Sequence, residues 1–190
     1  MSRIPLLEMD EIPEDYHHLF TDEYLGDRNI FRAWANNPEV LEATLEYLNT
    51  LYDQVTPREK ELVILAVARA SRAEYEWHQH VDIARDVGIT IEEMQALGRD
   101  DWSVFEHSER DLIEYATAVV EGNVTDAMDE HLEQHYSNSQ IVAISLLVDF
   151  YVGLDNHIDS MDLPFEGEAF IGWDPDPERV EEIWGPSSQD

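Results

Sequence analysis

The chain contains no cysteine, which excludes disulfides, thiolate nucleophiles, zinc–thiolate sites and iron–sulfur clusters. Lysine is almost absent, and 11 basic residues face 43 acidic ones for a formal net charge of −32. Such a surface repels phosphate backbones and anionic bilayers, so neither nucleic acid nor a membrane is an expected partner. The amino-terminal stretch Met-Ser-Arg-Ile-Pro-Leu-Leu-Glu has no signal-like apolar run. No uncharged segment elsewhere reads as long enough to span a bilayer, and the expected compartment is the cytoplasm. No segment alternates apolar and polar residues with a period of two, which leaves no strand signal.

What is present is core material. Five Trp, eight Tyr and six Phe are far more than a disordered acidic polypeptide carries. The length of 190 residues suits one substantial core. Acidity spread along a folded, lysine-poor chain is the pattern of a protein adapted to concentrated salt, which implies a halophilic source.

The helix signals run in series. Pro5 and Pro13 punctuate an extended arm over residues 1–27, with a short helix predicted near Tyr16 to Tyr24. Residues 29–36 and 38–52 read as helices separated at Asn36-Asn37-Pro38. Thr56-Pro57-Arg58-Glu59 combines an N-cap, a first-turn proline and a capping-box glutamate, so the apolar run that follows Glu61 is a buried helix. Ser71-Arg-Ala-Glu74 has the same box pattern and predicts a helix through His80 to Val87. Thr90-Ile-Glu-Glu93 opens a short helix to Leu97, Ser108-Glu-Arg-Asp111 opens another that reaches Gly122, and one from Thr125 to Tyr136 follows. Ser137-Asn-Ser-Gln140 caps a long apolar helix to about Met161. The expected architecture is all-α, with seven or eight helices in a domain over residues 28–163 and an acidic tail over residues 164–190. Phe165, Phe170, Trp173 and Trp184 in that tail predict that it packs on a surface, its own or a partner subunit's.

Glu76 and His80 are four residues apart, which places both on one helix face, where a carboxylate can orient an imidazole for acid/base work. Tyr75 and Trp77 are candidate apolar pocket walls. His78 reads as a solvated surface residue, and His157 as core or interface. His131 and His135 have a spacing that can chelate a metal, but no third ligand is evident, so no metal set is assigned.

The chain resembles the carboxymuconolactone decarboxylase family, which includes alkylhydroperoxidase-like members. The residues that carry the likeness are Arg58-Glu-Lys-Glu61-Leu-Val-Ile-Leu65, Glu76-Trp-His-Gln-His80 and Ala84-Arg-Asp-Val-Gly-Ile-Thr-Ile-Glu-Glu-Met94, with Arg3-Ile-Pro5, Phe150-Tyr151 and Leu163-Pro164 at the flanks. The likeness spans about residues 3 to 165. It implies an alkylhydroperoxidase-like helical bundle and a homo-oligomer, trimeric or hexameric. In the thiol branch of the family a Cys-x-x-Cys pair stands where this chain has Ala73 and Glu76, so thiol peroxidase activity is not expected. The decarboxylase branch implies a cofactor-free lyase acting on a small carboxylate-bearing lactone. There His80 would be the general acid/base, Glu76 its orienting carboxylate, and Glu61 would stand at the thiol branch's proton-relay position. Arg58, Arg69, Arg72 and Arg85 are the candidate cations for a substrate carboxylate. The competing readings are a non-catalytic oligomeric binding protein of the same fold and a metal-binding protein.

The charge balance makes a direct prediction. Raising NaCl from about 0.01 M to about 1 M shortens the screening length from about 30 Å to about 3 Å, so the thermal unfolding midpoint should rise with salt. A flat or falling midpoint would exclude self-repulsion as the dominant surface effect.

Overall fold

In a computed structural model of the chain, residues 2–20, 25, 28–166 and 169–186 are described. Among them every regular element is helical: α1 Asn29–Trp34, α2 Pro38–Tyr52, α3 Pro57–Ser71, α4 Glu74–Asp86, α5 Ile91–Gly98, α6 His107–Glu121, α7 Asp126–Leu132, α8 Asn138–Met161 and α9 Pro177–Trp184, with short 3-10 turns at Met9–Glu11, Glu14–Phe20 and Trp102–Val104. The expected all-α class is observed. The Thr21 to Tyr24 end of the helix predicted near Tyr16 lies outside the described residues.

The chain forms two compact units, Met1–Thr50 with Asn156–Ala169, and Leu51–Asp155 with Phe170–Asp190. In the first, Ile12, Phe20, Ala35 and Leu41 are buried together, with Leu7, Phe31, Trp34 and Leu45 packed around them. The amino-terminal arm is fastened within this unit by backbone contacts: Arg3 N–H donates to Met161 O at 2.7 Å, Asn36 Nδ2 donates to Pro5 O at 2.8 Å and Arg32 Nε donates to Leu7 O at 3.2 Å.

The second unit is organised on α3. Its residues Glu61 to Ala68 are all buried, as a continuous apolar helix must be, and it packs against α4, α6 and α5. Thr56 caps it as the sequence predicts, its side chain accepting from Glu59 N–H while Glu59 reaches back to the Thr56 backbone. Thr90 repeats the box at the start of α5. α8 is long and apolar enough to cross a membrane by length and composition alone; Ile144, Leu147, Val148 and Tyr151 on one side of it are buried, as in a core helix.

Two predicted helix starts differ. Ser71 does not cap α4: it is the last residue of α3, and its hydroxyl donates to Val67 O at 2.9 Å. Arg72 then adopts a left-handed conformation (φ 62°), and α4 begins after Ala73 with no side-chain cap. A serine inside a helix satisfies its hydroxyl on the preceding turn, which here removes it from competition for the next helix's amides. Similarly, α6 starts at His107 after Glu106 rather than after Ser108. α7 stops at Leu132, short of Tyr136.

The tail is more structured than predicted. Asp176 caps α9, accepting from the backbone N–H groups of Glu178 and Arg179. Ahead of α9, Gly172 O accepts a hydrogen bond from Trp77 Nε1 at 2.9 Å, and the Trp77 and Trp173 rings meet at 5.3 Å between centroids. The tail thus packs on its own unit. Gly98, which ends α5, lies so close to Trp173 that a Cβ there would stand 1.5 Å from the Trp173 carbonyl oxygen. Gly98→Ala should therefore push the segment around Trp173 away and cost about 1–3 kcal/mol. Amide exchange over residues 170–186 should accelerate in that variant while α3 stays protected; unchanged exchange in the tail would show that the contact is not a constraint.

Candidate functional site

α3 and α4 are joined by only Arg72 and Ala73, and this tight reversal lays the two helices side by side. Glu61, one full turn into α3, is completely buried. His80, in the second turn of α4, reaches it: His80 Nδ1 stands 2.7 Å from Glu61 Oε2. The other oxygen, Oε1, accepts no hydrogen bond but lies 2.9 Å from the ammonium of Lys60, the only lysine in the chain. Burial works to raise the Glu61 carboxyl; the facing His80 and Lys60 charges outweigh it and hold the group below its ordinary range.

An ionised carboxylate can only accept, so His80 Nδ1 carries the hydrogen and donates it to Glu61. That fixes the tautomer and leaves Nε2 as the atom available for proton transfer. Nε2 faces two groups. The Tyr151 hydroxyl on α8 is 3.4 Å away, and Glu76 Oε2 is 3.8 Å away. Tyr151 in turn shares a 2.7 Å hydrogen bond with the Tyr52 hydroxyl, and Lys60 Nζ sits 4.5 Å from the centre of the Tyr52 ring. Glu76 is buried in the first turn of α4, where the unpaired amides of a helix start favour negative charge.

The arrangement therefore gathers His80, Glu76 and Glu61, and the hydrogen bond that orients the imidazole comes from Glu61, 19 residues away, with Glu76 on the opposite nitrogen. The sequence did not single out Tyr151, Tyr52 or Lys60 for the site. Tyr151 was visible only as part of a family pattern, Tyr52 is contributed by the end of α2, and the rarity of lysine was the one signal that pointed to position 60.

Other candidates fall elsewhere. Tyr75 is buried, and Trp77 is fully enclosed with its indole spent on the tail. His78 is not solvated: it is buried, accepts from Ile171 N–H at 3.2 Å and lies against Trp184 at 5.0 Å. His157 is exposed rather than core and borders Trp34. His131 and His135 do not share a helix face, because α7 ends between them and His135 turns instead toward Asp111, 3.1 Å from its Oδ2. Of the candidate cations, Arg58 is clamped by Glu93 at 2.6 Å and Glu109 at 2.7 Å, Arg69 by Gly98 O and Asp100, and Arg85 by Asp82 and Gly185 O. Arg72 is exposed at the α3–α4 turn. Lys60 is the cation that the site contains.

The family model of the carboxymuconolactone decarboxylase family matches residues 38–104, the stretch that supplies Tyr52, Lys60, Glu61, Glu76 and His80. The match covers about a third of the chain and shows what that segment is similar to. No curated protein matches it in sequence. Among solved structures, an alkylhydroperoxidase AhpD core, an uncharacterized peroxidase-related protein from Ralstonia eutropha JMP134, superimposes with a TM-score of 0.72 at 20% identity, covering 92% of this chain and 98% of that one. A cysteine-to-alanine form of the debrominase Bmp8 in complex with 2,3,4-tribromopyrrole gives a TM-score of 0.75 at 17% identity, covering 95% and 96%. The chain thus has the all-α fold seen in the AhpD core, a fold that a debrominase also carries.

The depressed Glu61 carboxyl sets an acid limit. Its folded-state value lies below the ordinary 4.5, so its contribution to stability is complete above that pH and is lost as pH falls through the folded value. Glu61→Gln leaves His80 and Lys60 without their buried counter-charge and should cost about 3–5 kcal/mol. Denaturant unfolding from pH 7 down to pH 3 should show a weaker acid dependence in the variant, the remaining slope coming from the similarly depressed Glu59 and Glu93. Equal slopes in the two proteins would mean that Glu61 is not the ionised partner.

Proposed function

We propose that this protein is a cofactor-free lyase that removes carbon dioxide from a small carboxylate-bearing lactone by acid/base chemistry at His80. The observation that supports this reading is the buried 2.7 Å contact between Glu61 and His80 Nδ1, which commits one ring nitrogen and leaves the other to exchange a single proton. In the reaction the bond from the carboxylate carbon to the ring breaks, and its electron pair passes into the conjugated lactone. His80 Nε2–H then delivers the proton to carbon. Glu61 stabilises the imidazolium, while Glu76 and Tyr151, both on the Nε2 side, position the proton and restore it through the hydroxyl pair Tyr151–Tyr52. Lys60 holds Glu61 ionised and supplies positive potential for an anionic substrate.

Chemistry of the thiol kind has no sulfur to run on, since both thiol exchange and sulfur-based dehalogenation need a cysteine that the chain lacks. Val142 and Leu146, exposed and four residues apart on α8, support assembly into a homo-oligomer, trimeric or hexameric in keeping with the family. A cytoplasmic location fits the same reading.

A second reading is favoured by one observation: Arg58, Arg69 and Arg85 are all engaged by this chain's own carboxylates and carbonyls. A protein of the same fold that binds a small ligand without turning it over needs no free cation at His80. The two readings separate in one experiment. His80→Asn should lower kcat on a panel of lactone acids by about 10²–10⁴-fold, with the circular dichroism spectrum unchanged. Turnover equal to that of the parent would defeat the lyase reading, and saturable binding with no carbon dioxide release by the parent would establish the second.

A further inference from the structure

Away from His80, three side chains converge at the start of α6. His107 and Asp111 are one turn apart on that helix, and His135 comes from the turn after α7. One donor atom from each lies within 4.8 Å of the other two. His135 Nε2 is 3.1 Å from Asp111 Oδ2, and His107 Nδ1 is 3.8 Å from Asp111 Oδ1; the two imidazoles stand edge to face at 5.8 Å. The Asp111 side chain is only 6% exposed. Among the described residues its ion-pair partners are these two histidines alone, which are uncharged unless protonated. A buried carboxylate faced by two imidazoles is a negative centre whose natural complement is a cation.

Residues beside the three are anchored to α3. Tyr136, next to His135, donates its hydroxyl to Glu59 Oε1 at 2.7 Å. Glu109, between His107 and Asp111, is clamped by Arg58 at 2.7 Å. The backbone at both ends of the cluster is therefore tied through these neighbours to the first turn of α3.

We propose that His107, Asp111 and His135 form a binding site for a divalent first-row transition metal ion, with zinc as its best-matched occupant. Two imidazole nitrogens and one carboxylate oxygen are the donor set that zinc takes at about 2.0–2.2 Å. A tetrahedral ion at those lengths separates its ligand atoms by about 3.4 Å, and the three donor atoms, one from each residue, already lie within 4.8 Å of one another. Three protein ligands leave the fourth position to water or a small anion. Hard cations such as Mg²⁺ prefer all-oxygen shells and are disfavoured here. The ion would fasten the start of α6 to the turn after α7.

The test is calorimetric titration of ZnCl₂ into chelator-treated full-length protein, in excess MgCl₂ so that the acidic surface is already occupied. The expected result is one zinc per chain. His107→Ala, whose side chain is 69% exposed and whose loss leaves the fold intact, and separately His135→Ala should each weaken binding by at least about tenfold. His80→Asn should leave it unchanged. CoCl₂ should give the visible absorption of a four-coordinate ion in the parent and not in His107→Ala. Zinc affinity that survives both histidine substitutions, or that disappears with His80→Asn instead, would overturn the assignment, as would a stoichiometry of several weak ions abolished by magnesium.

Discussion

The candidate site depends on a carboxylate placed where no water can reach it. Glu61 opens the buried and otherwise apolar stretch of α3, with none of its surface exposed. Burying an ionised carboxyl costs several kcal/mol unless its charge is met at close range. Two groups meet it: an imidazole from α4 at 2.7 Å and an ammonium from the neighbouring residue at 2.9 Å. The imidazole arrives there because α3 is closed by a left-handed residue, Arg72, and α4 starts two residues later at Glu74. The short connection, the buried acid and the orientation of His80 are thus one constraint seen at three levels. Lengthening the α3–α4 turn would remove the partner, and removing the partner would leave the charge stranded.

The same economy governs the positive charges. With 11 basic residues against 43 acidic ones, each cation is surrounded by potential partners, and on the second unit Arg58, Arg69 and Arg85 are each engaged by more than one acceptor. Arg58 is the fullest case, since its guanidinium meets Glu93, Glu109 and Gly88 O together and so ties the starts of α3, α5 and α6. The carboxylates opposite raise the Arg58 guanidinium well above its ordinary value. A planar fork suits that bidentate role. The single lysine is used differently: a compact point charge whose ammonium neutralises one oxygen of Glu61 and also lies over the Tyr52 ring. An acidic protein that retains one lysine keeps it where the interior requires a cation.

Much of this was legible in the residues. The capping boxes at Thr56 and Thr90 placed α3 and α5 closely, because a cap is a local interaction that needs no tertiary knowledge. The facing of Glu76 and His80 followed from helical spacing, and Glu61 entered through the family pattern. What the residues could not display was which carboxylate would reach Nδ1, since spacing along one helix says nothing about a neighbour 19 positions earlier. Ser71 misled for a related reason: the same Ser-x-x-Glu pattern either starts a helix or ends one, and the choice is made by where Val67 O lies. His131 and His135 have chelating spacing only if the helix continues between them, and α7 ends at Leu132. In the tail, Asp176-Pro177 was an N-cap with a first-turn proline, a signal of the same quality as Thr56-Pro57, concealed by the glycine, proline and acid around it.

The chemistry open to this scaffold is decided by a short inventory of protons rather than by the fold. Structures with similar folds include an AhpD core and a debrominase, and at such low identity the likeness extends to the backbone alone. In the present chain the position that precedes the histidine by one turn holds a carboxylate, and the position three before that holds alanine. Neither can accept or return electrons. His80 Nδ1 is committed to Glu61, Tyr151 and Glu76 share the space around Nε2, and Glu61 itself is held ionised by His80 and Lys60. One nitrogen remains that can take or give one proton, an arrangement that suits the movement of a single proton against a developing charge on carbon or oxygen.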